Sequence, residues 1–155
     1  FTAEIGNRHR NPIGSGAGVD SSAVSLQTRS DRAQEAFTVF ADVVRNPAFA
    51  QEELDRAKSE ALDNLQVSLS QPGSIGSYAM TRAIYGTAPY GAIASPTSIG
   101  AITRDDMANY HRTYWRPDNG VLVITGDVSA EEGFALAERY FGDWARPSTP
   151  MPAPT

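Results

Sequence analysis

The residue types that most often carry metal or acid–base chemistry are scarce in this chain. It has two histidines, His9 and His111, and no cysteine. Imidazole is a common metal ligand, but His9 falls in a loop-like segment and His111 in a predicted helix, beside Asn109 and Arg112, and neither has a glutamate at ligand spacing. The lack of cysteine excludes disulfides and thiolate zinc sites. We therefore predict no catalytic and no metal-binding residue, and we interpret His111 as a partly buried residue on a helix face.

The length, composition and net charge of the chain exclude some classes of protein. The 155 residues, 41% hydrophobic and 20% charged, are enough for one compact domain with a core. A net charge of -5 argues against a nucleic-acid binder, which needs a basic face. No apolar run approaches the ~20 residues of a membrane-spanning helix. Because residue 1 is Phe rather than Met, we expect the sequence to be a piece of a longer chain.

The N-terminal half is predicted to contain one strand and three helices. Glycine and proline make residues 1–20 loop-like, and alternation of apolar residues predicts a half-buried strand over residues 22–28. The elements predicted after it are a helix from Ser30 and Asp31 to Asn46-Pro47, a helix from Gln51 to Pro72-Gly73, a helix from Ser74 to Tyr85 and a loop from Gly86 to Pro96.

Two capping boxes mark helix starts in the C-terminal half, Thr103 with Asp106 and Ser129 with Glu132. Between these helices, residues 121–125 (VLVIT) form an apolar, β-branched run flanked by turn residues, which predicts a buried strand. The packed face of the last helix is predicted to comprise Phe134, Ala137, Tyr140 and Phe141.

This order of elements predicts an α+β fold, with helices packed on one face of a largely antiparallel sheet. Two strands rarely hold a domain alone, so we expect further strands among residues 1–20, in the glycine-rich loops, or in polypeptide that precedes this sequence. Residues 1–144 are predicted to be one partial domain whose N-terminal part is missing. Residues 145–155 contain four prolines and are predicted to be an extended linker to a further domain.

Six short segments, in this order, resemble motifs of the pitrilysin/insulinase family of zinc metallopeptidases, which includes the mitochondrial processing peptidase. They are Asn46-Pro47-Ala48-Phe49 with Glu52-Glu53-Leu54, Pro89-Tyr90-Gly91, Ile102-Thr103-Arg104-Asp105-Asp106, Tyr114 with Pro117 and Asn119, Gly126-Asp127-Val128, and Phe141-Gly142 with Trp144. The resemblance implies a processing-peptidase-like domain, one of several α+β domains that pair as two halves around a peptide.

The resemblance also implies where zinc would be held in a catalytic relative. There, an H-x-x-E-H helix supplies two ligands and a general base, and a later V-L-x-E segment supplies a third ligand. H-x-x-E-H is absent from this sequence, and Asn64 stands at the third-ligand position, where a neutral amide is a poor zinc ligand. Asp63 lies about 100° around the helix and Glu60 about 5.4 Å along it, so both are predicted to be solvated charges. We expect no cofactor in this chain, and zinc only in a catalytic domain or partner.

A peptide-binding segment is implied on the same basis. Catalytic members bind substrate as an extra strand on an exposed sheet edge, and the matching segment here is the glycine-rich stretch from Gly14 to Asp20. Glycine permits close backbone approach but is equally typical of an ordinary turn, so both interpretations stay open. The candidate substrate-binding residues are Gly16, Ala17 and Gly18.

Three functions are compatible with these residues. We favour a non-catalytic domain, inactive alone, that helps to form the peptide-binding chamber with a catalytic domain or partner. The alternatives are a fragment of an active zinc endopeptidase whose H-x-x-E-H lies upstream, and a structural subunit with no peptidase role. The expected partners are another metallopeptidase-like domain or subunit and a peptide, without nucleic acid or a membrane span. The expected setting is the bacterial periplasm rather than the cytoplasm.

Overall fold

The computed structural model describes residues 13–152. Its strands are β1 (Ile13–Ala17) and β2 (Ser22–Leu26), and its α-helices are α1 (Ala33–Arg45), α2 (Gln51–Leu69), α3 (Pro72–Tyr85), α4 (Pro96–Ala101), α5 (Arg104–Tyr114) and α6 (Ala130–Phe141). Short 3-10 turns lie at Ser30–Arg32 and Pro89–Gly91. These elements confirm the predicted α+β class. None of the helices described is both long and apolar enough to cross a membrane.

The described chain divides into two compact units. The first comprises residues 13–47 and 113–150, and the second comprises residues 48–112 with 151–152. The first unit contains the hairpin, α1 and α6, whereas the second contains α2, α3, α4 and most of α5.

The sheet of the first unit is an antiparallel hairpin of β1 and β2, in which Ile13 lies opposite Leu26 and Ala17 opposite Ser22. β2 alternates as predicted, with half-buried Val24 and Leu26 separated by exposed residues. The prediction of a loop over residues 1–20 is wrong for β1, because pairing with β2 overrides the weak strand preference of Gly, Ser and Ala. The expectation of a further strand in that region is thereby met.

The core of the first unit lies between α1 and α6. The buried side chains of α1 are Phe37, Phe40, Ala41 and Val44, whose spacing places them on one helix face. The ring of Phe37 lies 5.8 Å from that of Tyr140, and Phe40 meets Phe141 nearly edge-on at 6.1 Å. Arg45 donates to the Tyr140 carbonyl at 3.0 Å, so a hydrogen bond supports the apolar contact. These contacts give α1 a single apolar face, which packs against α6.

The start of α1 differs from the prediction. Ser30 does not cap the helix; it begins a 3-10 turn, and its hydroxyl donates to the carbonyl of Asp127 at 3.0 Å. The α-helix itself begins at Ala33. A serine hydroxyl can satisfy either a helix terminus or a distant carbonyl, and here the distant partner joins the start of α1 to the turn before α6.

The second unit is built around the long helix α2, which begins at Gln51 as predicted. α3 and α4 both pack against α2, and the Lys58 ammonium donates to the Gly100 carbonyl of α4 at 2.9 Å. α3 begins at Pro72 rather than Ser74, because proline suits the first turn of a helix, where its missing N–H has no partner to lose.

Helix α4 was not predicted, although its start is encoded locally. The Ser95 hydroxyl accepts from the backbone N–H of Ser98 at 3.1 Å, and the Ser98 hydroxyl accepts from the N–H of Ser95 at 2.9 Å. Pro96 occupies the first helical position. This is a capping box with serine in place of the usual glutamate, in a helix only six residues long.

Two predictions about the C-terminal half are wrong. Residues 121–125 form no strand, and Val121 and Val123 are 90% and 73% exposed. Phe134, predicted on the packed face of α6, is exposed, and Gly133 is the buried residue of that helix. Among the residues described, nothing pairs with residues 121–125, so their β-forming composition is not expressed as a strand.

Candidate functional site

The predicted third-ligand position lies on the exposed surface of α2. Asn64 and Asp63 are both exposed, whereas the next residue, Leu65, is buried. Glu60 accepts from the guanidinium of Arg56 at 2.7 Å. Arg56 also binds Glu53, and these hydrogen bonds raise the pKa of the arginine above its ordinary value. Glu60 is thus part of a helix-surface ion-pair cluster.

These residues do not fit a zinc ion. Structural and catalytic zinc sites need three or four converging nitrogen, sulfur or carboxylate ligands. Across residues 13–152, no three His, Cys, Asp or Glu side chains are grouped closely enough to hold a metal. The predicted third-ligand position on α2 carries an amide, Asn64, and the nearby Glu60 carboxylate accepts a hydrogen bond from Arg56.

His111 is half-buried on α5, as its sequence context predicted. Its ring lies 5.8 Å from that of Phe49, close to edge-on, which is an apolar packing role. Phe49 has φ of 45°, in the left-handed region, and Arg104 holds this bend by donating to the carbonyls of Phe49 (2.9 Å) and Ala48 (3.2 Å). His9 lies outside the described residues.

The predicted peptide-binding residues lie at the tip of the hairpin. Gly16 and Ala17 end β1, opposite Ala23 and Ser22, while the N–H of Gly18 donates to the Ser21 carbonyl at 2.7 Å. All three candidates are exposed. In a two-stranded sheet each strand has one edge without a ladder partner in the described structure, and the space where a Gly16 side chain would lie is open. Among residues 13–152, nothing pairs with the outer edge of either strand, so this edge could accept an added strand.

Several of the family-like motifs are explained by contacts at element ends. The Thr103 hydroxyl caps α5 by accepting from the Asp106 N–H at 3.1 Å, and the Thr103 N–H donates to the Asp106 carboxylate at 2.8 Å. The Asn119 amide donates to the Tyr114 carbonyl at 2.8 Å, satisfying an acceptor at the end of α5. Gly91 lies against the backbone carbonyl of Gly86, where a side chain would collide. These residues stabilise the fold rather than perform chemistry.

Arg116 is the centre of a polar cluster that was not predicted from the sequence. It is 5% exposed, and its guanidinium donates to both carboxylate oxygens of Asp118 at 2.8 Å and to the Thr149 carbonyl at 2.9 Å. Arg146 lies 3.0 Å from Asp118 on the other side. Hydrogen bonds from Arg116 lower the pKa of Asp118 and correspondingly raise that of Arg116. The only sequence signal is the Arg-Pro-Asp spacing, which does not reveal that a proline-rich segment completes the cluster.

The chain is similar to known proteins along most of its length. A family model described as the peptidase M16 inactive domain matches residues 101–155. Human mitochondrial-processing peptidase subunit beta is 30% identical over 110 residues, which cover 70% of this chain and 22% of that protein. A protein described as an uncharacterized zinc protease from Rickettsia bellii is 25% identical over 114 residues, 72% of this chain and 28% of that protein.

A solved structure shares the fold. The crystal structure of a peptidase M16 inactive domain from Pseudomonas fluorescens aligns with a TM-score of 0.78 and 27% identity, covering 93% of this chain and 36% of that one. The chain spans about a quarter of the length of the curated relatives it matches.

Proposed function

Because the chain belongs to the pitrilysin (M16) family of peptidases and is similar to the family's inactive domain, we propose that it is a non-catalytic domain that pairs with a catalytic M16-type domain or subunit. In this role it forms part of the wall around a peptide substrate. The zinc and the H-x-x-E-H helix belong to the catalytic partner.

The observation that carries this proposal is Asn64. The resemblance aligns it with the third-ligand position of catalytic relatives. Asn64 is exposed on α2, and the nearby Glu60 carboxylate accepts a hydrogen bond from Arg56. An amide ligand binds zinc weakly beside carboxylate and imidazole. A domain that kept a catalytic zinc would need a carboxylate at this position, whereas a chamber wall has no such requirement.

Zinc content and peptidase activity test the non-catalytic role directly. We expect the purified 155-residue chain to retain no stoichiometric zinc after dialysis and to leave a panel of fluorogenic peptides intact. Adding a catalytic M16-type domain should then give cleavage that depends on that domain's zinc. Asn64→Glu serves as a control, because one exposed carboxylate without histidine partners does not build a zinc site. One zinc per chain, or cleavage by the chain alone, would overturn the proposal.

The hairpin edge is the proposed point of peptide contact. A side chain at Gly16 would meet nothing within 4 Å, so Gly16→Val should preserve the hairpin while placing a branched side chain against the face of a peptide strand added at this edge. We expect Gly16→Val to weaken peptide capture by the assembled pair by roughly tenfold, as loss of one or two backbone hydrogen bonds would. Ser15→Val, also exposed but on the other face of β1, is the matched control. Equal peptide capture by the two variants would show that the peptide does not bind at this edge.

A further inference from the structure

Asn119 differs from the other asparagines of the described chain in the residue that follows it. The structure describes four asparagines, Asn46, Asn64, Asn109 and Asn119, and all four are exposed. Among them only Asn119 precedes a glycine, Gly120, which lies after α5 and is also exposed. An Asn-Gly pair can react with itself, because the next backbone nitrogen can attack the side-chain carbonyl carbon and glycine has no side chain to block the approach.

The backbone nitrogen of Gly120 is available for this attack. In the described part of the chain, the Gly120 N–H donates to no backbone carbonyl. Asn64 and Asn109 lie inside α2 and α5, where helical hydrogen bonds hold the N–H that follows each of them. Asn46 precedes Pro47, whose nitrogen carries no hydrogen and cannot act as the nucleophile. Of the four asparagines, only the one before Gly120 therefore has a nucleophile beside it that is neither blocked nor held in a helix.

A hydrogen bond at the end of α5 restrains the Asn119 side chain. Its amide nitrogen donates to the Tyr114 carbonyl at 2.8 Å. Even if this bond has to open before the attack, an exposed hydrogen bond exchanges with water at little net cost, so it lowers the reactive population by about tenfold or less. Asn46 carries an equivalent bond, to the Asp42 carboxylate at 3.0 Å. Asn119 and Asn46 thus match in exposure and in restraint and differ in the residue that follows.

We propose that Asn119 is a site of spontaneous deamidation. The Gly120 nitrogen gives up its proton to water or hydroxide and bonds to the side-chain carbonyl carbon of Asn119. The bond from that carbon to the amide nitrogen breaks, and the amide nitrogen leaves as ammonia. Water then opens the resulting succinimide ring at either carbonyl, which gives an ordinary or a β-linked aspartyl residue. One water is consumed and one ammonia is released, and nothing is oxidised or reduced.

The product removes a contact that ends α5. A carboxylate cannot donate to the Tyr114 carbonyl, and its charge is unfavourable beside the partial negative charge at a helix C-terminus. The β-linked product also lengthens the main chain by a methylene group beside Asp118, the carboxylate that binds Arg116. We expect the deamidated chain to unfold at a midpoint about 2–4 °C below that of the intact chain. This reaction does not require the chamber role proposed above.

Incubation of the full 155-residue chain in mildly alkaline buffer made with heavy-oxygen water tests the proposal. Each deamidation then adds a heavy oxygen atom to the new carboxylate, and peptide mapping by mass spectrometry locates it. We expect the label at Asn119 to exceed that at Asn46, Asn64 or Asn109 by at least about tenfold. Equal labelling of Asn119 and Asn46 would overturn the proposal, because these two share exposure and an amide hydrogen bond.

A variant at the nucleophile and an unfolded reference test the mechanism. Gly120→Ala should slow deamidation about tenfold, because the added methyl shields the backbone nitrogen. That methyl would lie 3.3 Å from the Arg116 carbonyl, so helical circular dichroism checks that the variant folds. Gly100→Ala, whose methyl meets nothing within 4 Å, is the matched control and should leave the rate at Asn119 unchanged.

The folded chain should deamidate at Asn119 within about tenfold of the rate of the chain unfolded in guanidinium chloride, because only an exposed hydrogen bond restrains the side chain. A folded chain that reacts about a hundredfold more slowly than the unfolded one would show that the turn protects Asn119, and would overturn the proposal. An unchanged rate in folded Gly120→Ala would overturn it as well, because the Gly120 nitrogen would then not be the nucleophile.

Discussion

Arg116 is a buried charge that donates three hydrogen bonds, two to the Asp118 carboxylate and one to the Thr149 carbonyl. Removing it leaves the Asp118 carboxylate and the Thr149 carbonyl without their shared donor. We expect Arg116→Ala to lower the midpoint of thermal unfolding by roughly 4–8 °C. Arg29→Ala breaks a pair with Asp31 in which the arginine is 83% exposed, and should change it by less than about 1 °C. Similar shifts for both variants would mean that burial of Arg116 adds nothing.

Gly91 is a second residue at which one substitution should change stability, and Gly100 provides the matched control. A methyl group there would collide with the backbone carbonyl of Gly86, which cannot turn aside as a side chain can. We expect Gly91→Ala to lower the free energy of unfolding by about 1–3 kcal/mol in urea titrations. Gly100→Ala, where the added methyl meets nothing within 4 Å in α4, should instead raise it by up to about 1 kcal/mol. If Gly91→Ala left the free energy of unfolding unchanged, the Pro89–Gly91 turn would have to adjust to the added methyl group at no cost.

The capping box of α6 makes the stability of the folded state depend on pH. The Ser129 backbone N–H and then its hydroxyl, both donating to Glu132, lower the pKa of that carboxyl from its ordinary value of 4.5. Its ionised form therefore stabilises the folded state above pH 4.5, and this contribution is lost as pH falls through the lowered pKa. The difference in unfolding free energy between wild type and Glu132→Gln should shrink from pH 7 to below its native pKa. Glu131→Gln, in the same helical turn, leaves the capping box intact and is the matched control variant.

Elements with local signals were predictable from the sequence. The start of α2 at Gln51 and the capping boxes at Thr103 and Ser129 follow from a few adjacent residues, and the structure contains all three. β1 was not predictable, because Gly-Ser-Gly has little strand preference and pairs only through β2. Residues 121–125 failed in the opposite sense: their composition favours a strand, but a strand needs a neighbour to pair with.

The candidate site was predictable where it depended on a residue type. The packing role of His111 could be inferred from its sequence context, and its ring contacts Phe49. The assignment of Asn64 to the third-ligand position comes from the family resemblance and stays a prediction. The Arg116 cluster could not be predicted, because Thr149 lies 33 residues away and contributes a backbone carbonyl, which every residue has. Phe134 likewise fits the apolar spacing of α6, yet Gly133 occupies the packed position.

Stability is distributed unevenly over the whole described molecule. α1 contributes four buried side chains to the first unit, whereas α3 contributes none to the second and exposes Ile75, Met80 and Ile84. Local opening costs least where few apolar contacts are lost. In hydrogen-exchange measurements we therefore expect the amides of α1 to be protected at least tenfold more strongly than those of α3. Equal protection would mean that both units open only by global unfolding.

Arg116 and Asp118 also fix the first part of the proline-rich segment that follows α6, so the flexible part of that segment begins further along the chain. They hold the chain at Arg146 and Thr149, so residues 145–149, which composition assigns to a tether, are withdrawn from it. An extended proline-rich tether spans about 3.1 Å per residue, so the loss shortens its reach by roughly 15 Å. A shorter tether confines whatever it carries to a smaller volume and raises its effective concentration beside the first unit. One guanidinium thus helps to set the search volume of any module joined beyond it.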